Sequence, residues 1–76
     1  MMQTGMLWRD DSKRTLEEKV QRAATYYHEK YGRVPDFCCV NTDMLNEAQT
    51  VDKIEVQPAS NILPHHLWIG VQSKAN

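Results

Sequence analysis

The chain carries only two cysteines, and they are neighbours, Cys38 and Cys39. Adjacent cysteines cannot close a long loop within one chain, and a vicinal bridge is strained and rare, so a disulfide framework is excluded as a source of stability. No run of about 18 apolar residues occurs, which excludes a membrane-spanning helix. The first eight residues have no basic region and too short an apolar stretch for a secretion signal, and the lipidation patterns at either end are missing. The expectation is therefore a cytoplasmic protein without a membrane partner. Glycine is scarce and scattered at Gly5, Gly32 and Gly70, so no phosphate-cradling loop exists. Charge of one sign is lacking too: nine basic against ten acidic side chains leave a formal −1, with no strong pull on polyanions.

What is present is one small domain, residues 1–76, with 1–3 and 72–76 expected to fray. The 41% hydrophobic and 25% charged composition is that of a globular chain. A chain of this length buries only about 60% of its unfolded surface. Its core supplies a net stability of about 3–5 kcal/mol. Such domains draw further support from disulfides, a metal or a partner subunit.

The clearest element spans about residues 15–31. Leu16, Val20, Ala23, Ala24, Tyr27 and Tyr31 draw an apolar stripe down one helical face. Thr15 with Glu18 three residues on forms a capping box, and Gly32 followed by Pro35 ends the helix. Phe37-Cys38-Cys39-Val40, between Pro35 and Asn41, reads as a short strand buried on both faces. Gly5-Met6-Leu7-Trp8 ahead of the helix is a similar run. Strand, helix and buried strand make a βαβ pattern, with the two strands parallel, either as neighbours or with one strand between them. Residues 42–50 are consistent with a helical turn or a loop. Residues 51–57 alternate as one strand with a wet face, residues 58–61 as a turn, and residues 65–71 as the last strand. The expected fold is α+β and two-layered, in the order β-α-β-β-β, with the single long helix packed on a small mixed sheet.

One helix covers one face of such a sheet. Trp68 lies opposite Leu67, Ile69 and Val71, and Cys38 and Val40 lie opposite Phe37 and Cys39, so whichever face is covered the other keeps apolar groups. This predicts a homodimer or a stable protein partner, contacting the uncovered face or an edge strand. The expected interface residues are Trp68, His66, Cys38 and Val40. The alternative is that Met1, Met6 and Met44-Leu45 fold over the second face.

Other chemistries are weaker. His65-His66, Cys38-Cys39 and His28 are the only candidate metal ligands, but adjacent strand residues point to opposite faces, so no metal or other cofactor is expected. Cysteines within an apolar strand are poor nucleophiles, because burial raises the thiol pKa. Asp10-Asp11 and Glu17-Glu18 sit near a helix start, where acidic groups suit the dipole without catalysis. No catalytic residue is assigned. Nucleic acid is the rival partner class: Arg9, Lys13, Arg14, Lys19, Arg22, Lys30 and Arg33 fall in the helix half, with Tyr26, Tyr27 and Tyr31 able to stack on bases. Glu17, Glu18 and Glu29 interrupt them, as on a solvated helix face. The function expected is a small self-associating interaction module without catalysis, the alternative being a nucleic-acid-associated accessory domain.

Overall fold

The computed structural model describes residues 2–72. The elements run β1 (Met2–Arg9), α1 (Leu16–Tyr31), β2 (Phe37–Asn41), β3 (Gln49–Val51), β4 (Ile54–Ala59) and β5 (His66–Gln72). One helix packs on one five-stranded mixed sheet, a two-layer α+β fold. The sheet order is β1-β5-β2-β4-β3. β5 pairs antiparallel with both β1 and β2, β4 pairs parallel with β2, and β3 pairs antiparallel with β4. β1 and β2 are therefore parallel with one strand between them, the second of the two arrangements that the βαβ pattern allows. Among the described residues no helix is long and apolar enough to cross a membrane.

Local chemistry sets the limits of α1. Thr15 caps it in extended geometry, φ −67° and ψ 161°. The Glu18 N–H donates to Thr15 Oγ1 at 3.2 Å and the Thr15 N–H donates to Glu18 Oε1 at 3.0 Å, so both arms of the capping box are closed. Those bonds to Thr15 hold the Glu18 carboxyl below its ordinary pKa. Gly32, at φ 70°, ends the helix, and its N–H donates to the His28 carbonyl at 2.8 Å. Val20, Ala23 and Tyr27 are fully buried against the sheet, with Leu16 and Ala24 at the border. Tyr31, expected on the same stripe, is instead exposed at the end of the helix and stacks on Tyr27 with ring centroids 4.7 Å apart.

The core lies on one side of the sheet. Cys38 and Val40 of β2, Ile54 and Val56 of β4, Val51 of β3, and Leu67 and Ile69 of β5 meet the helix there. Met6, Trp8, Met44 and Leu45 pack against this same cluster. The described residues among those expected to fold over the second face therefore do not cover it, and Met1 lies outside the described residues. Fraying was expected at 1–3 and 72–76. Residues 73–76 also lie outside the description, whereas residues 2 and 3 belong to β1 and Gln72 closes β5.

Two local expectations change. Residues 51–57 are not one strand but a hairpin, because Asp52 and Lys53 both take positive φ, 48° and 68°, and reverse the chain in two residues. The chain from residue 42 turns and then enters β3. Asn41 organises that turn: its Oδ1 accepts from the Asp43 N–H at 2.8 Å, and its Nδ2 donates to the Ile62 carbonyl at 2.6 Å, tying two loops together.

Lys53 occupies the left-handed region without glycine's freedom. That region costs an L-residue about 1–2 kcal/mol, against about 0.5–1 kcal/mol for glycine's added chain entropy. Lys53→Gly should therefore stabilise the fold by about 0.5 kcal/mol, raising Tm by about 2–4 °C. Thermal melting followed by circular dichroism checks this; an unchanged or lower Tm would show that the turn carries no such strain.

Candidate interaction surface

Strand pairing assigns the side chains from Gly5 onward to the two faces of the sheet. Alternation away from the buried set places Gly5, Leu7 and Arg9 of β1, His66, Trp68 and Gly70 of β5, Phe37, Cys39 and Asn41 of β2, and Glu55 and Gln57 of β4 on the side the helix does not cover. Leu7, Trp68, Cys39 and Gln57 stand opposite one another across four adjacent strands, each about 4.8 Å from the next. The parallel row is Gly5, Gly70, Phe37 and Glu55. The centre of this face is thus apolar, with Arg9 and His66 at one corner and Glu55 at the opposite one.

Of the four residues expected at the interface, Trp68 and His66 lie on this open face. Cys38 and Val40 do not. Both are fully buried beneath α1, because the register places Cys38 beside Ile69 and Val56, and Val40 beside Leu67. The open face takes the other two members of that run, Phe37 and Cys39. Leu7, 57% exposed, also belongs to it. Period-two alternation separates odd from even within a strand, but only the pairing register joins the odd positions of one strand to those of another.

The face partly covers itself. The Trp68 indole lies over Gly5: a Cβ at that position would stand 2.8 Å from Nε1 and closer still to the ring carbons. Phe37 lies opposite Gly70 and is only 9% exposed, although it stands apart from the core cluster. A ring laid across a strand glycine, as Trp68 is at Gly5, removes apolar area from water without a second layer. Leu7 at the β1 border has no such cover.

The cysteines are free and thiol chemistry is suppressed. Burial pushes Cys38 from its ordinary 9.0 to about 12, with the neighbouring Cys39 adding to the shift, and burial also raises Cys39. Neither is poised as a nucleophile at neutral pH. The histidines stand apart, His28 exposed on α1 and His65 and His66 leading into β5, where His66 Nδ1 lies 2.8 Å from the Pro64 carbonyl oxygen. Among the described residues no group of three or more His, Cys, Asp or Glu side chains gathers as a metal site. A groove of about 410 Å³ lies between α1 and the β3–β4 hairpin, with His28, Val34 and Ile54 on its wall. Gln21 Nε2 donates to Asp52 Oδ2 across it at 2.9 Å, so the groove is a seam holding the hairpin to the helix.

Gly5→Ala should destabilise the fold by about 1–3 kcal/mol by driving Trp68 off the strand. In a Trp68→Ala background the same change should cost less than about 0.5 kcal/mol, since only backbone preference remains. Urea denaturation of the four-protein cycle measures the coupling, and additivity would contradict the packing.

The thiols also set an alkaline limit. Below pH 9 both states of Cys38 are protonated and its burial carries no penalty. Above it the unfolded chain releases the proton while the folded chain keeps it, so stability falls between pH 9 and about 12. The expected slope is about 1.4 kcal/mol per pH unit. Urea midpoints at pH 7, 9 and 10 should show Cys38→Ala losing less stability on alkalinisation than the parent, and equal losses would refute the assignment.

No family model, curated protein or solved structure matches this chain.

Proposed function

We infer that this chain is a small self-associating protein-interaction module that works through the open sheet face and carries out no catalysis of its own. The observation supporting this reading is the uncovered strip Leu7–Trp68–Cys39 across three adjacent strands, bordered by Arg9, His66, Glu55 and Gln57. An apolar strip with a polar rim is the usual anatomy of a protein contact, and a chain of 76 residues gains more from such a contact than a larger one does. Its two free thiols, one deeply buried, suit the reducing cytoplasm in which the reading places it.

The nucleic-acid alternative has less behind it. Lys19 is 7% exposed, Arg9 is bridged to Asp11 at 3.3 Å, and Glu17, Glu18 and Glu29 share the helix with its cations. These features break the continuous basic stripe that a polyanion would need.

Light scattering coupled to gel filtration at micromolar concentration should give twice the 8.8 kDa chain mass. A clean single-chain mass would overturn self-association. Salt-sensitive retention on heparin would favour the alternative instead.

A further inference from the structure

We propose that the second copy docks edge to edge along β1, in an antiparallel pairing centred on Leu7, so that two five-stranded sheets become one continuous sheet of ten. This rests on the reading of the chain as self-associating and moves the contact between copies from the middle of the open face to its β1 border at Leu7.

The two edges of the sheet differ. β3 is three residues long with its first two residues exposed, which is one way natural sheets blunt an edge. β1 is eight residues long, the longest strand, and pairs only with β5 among the described residues. Its register slips between residues 2 and 4, but from Gly5 to Arg9 it is regular. That stretch holds no proline and no lysine, and its single charge is at the end.

Backbone parity shows which groups face outward. Continuing the β1–β5 register places Asp10 opposite His65, and the Asp10 N–H donates to the His65 carbonyl at 2.9 Å. In an antiparallel ladder both polar groups of a residue point the same way, and neighbours alternate. Trp8 and Met6 therefore bond to β5, while the N–H and C=O groups of Gly5, Leu7 and Arg9 point away from the sheet. A twofold axis at Leu7 pairs Leu7 with the partner's Leu7 and Gly5 with the partner's Arg9. All three outward residues are then satisfied on both chains, with two hydrogen bonds per pair.

Side chains complement one another in this register. On the open face, the exposed Leu7 meets its own mate. The partner's Arg9 arrives beside Gly5, the residue over which the Trp68 indole lies, and a guanidinium beside an indole is a favourable contact. On the helix side, Met6 faces the partner's Trp8, a thioether against an aromatic ring. Trp8 is already stacked on Tyr26 with centroids 4.6 Å apart, and Tyr26 is half-exposed at that edge. The same surface supplies both halves of every contact, as a twofold interface requires.

Amide hydrogen exchange on the full chain decides the matter, alongside oligomeric mass. At concentrations giving the dimer, the Leu7 and Arg9 amides should exchange at least about tenfold more slowly than after dilution to monomer. Leu7→Lys should remain folded and become monomeric, and Leu7→Pro should do the same by removing an outward N–H only. Cys39→Arg, in the middle of the open face, should leave the dimer intact. A dimer whose Leu7 and Arg9 amides exchange freely, and which Cys39→Arg dissociates, overturns the edge pairing and leaves self-association through the face standing. A single-chain mass at every concentration overturns both.

Discussion

The structure depends on one constraint: a single helix must cover a five-stranded sheet. Its stripe of Val20, Ala23 and Tyr27 meets Cys38, Val40, Val56, Leu67 and Ile69, and these residues are all inaccessible to water. Among the described residues no second helix lies on the other face. The capping box at Thr15 and the left-handed turn at Gly32 therefore matter beyond the helix itself. By fixing its ends they decide which part of the sheet is dry.

The open face is managed by its own side chains. Trp68 lays its ring over Gly5, on a face where no second layer is present among the described residues, and Phe37, opposite Gly70, is only 9% exposed. The arrangement resolves a conflict for β5, which sits between β1 and β2 and has apolar residues on both sides. Leu67 and Ile69 go under the helix, and Trp68 turns outward onto its neighbour. Only near the β1 border does the arrangement run out, at the exposed Leu7, where the outward-facing backbone groups also lie. Among the described residues, exposed apolar surface and outward-facing backbone thus coincide on one edge, while the opposite edge is kept short.

The chemistry that a cysteine- and histidine-bearing sequence suggests is dispersed by the same geometry. The adjacent cysteines point to opposite faces, one into the core beneath the helix and one onto the open sheet. Burial raises the pKa of both thiols. His28 stands on the helix, away from the strand that carries His66. What the register brings together among the described residues is apolar and aromatic, with Leu7, Trp68 and Cys39 in one row.

The helix was legible in the sequence almost to the residue, because capping, periodicity and termination are interactions among residues three or four apart. The same locality made β2 and β5 readable, and the βαβ order followed from chain connectivity. The β3–β4 hairpin was not legible, since Asp52-Lys53 lacks the glycine that usually announces a two-residue turn and Val51 to Gln57 alternates as a single strand would. The candidate surface was half legible. Alternation alone put Trp68 opposite Leu67 and Ile69, and Cys38 opposite Phe37 and Cys39, yet it could not say that Cys38 and Val40 share the covered face with Leu67. A strand's two faces are fixed by its own residues, whereas the matching of faces between strands is fixed by hydrogen-bond register across residues some thirty apart. The sequence by itself determined the helix, its ends and a sheet with apolar residues on both sides. Only the tertiary structure decided which of those sides the helix keeps, and so which residues are left on the open face.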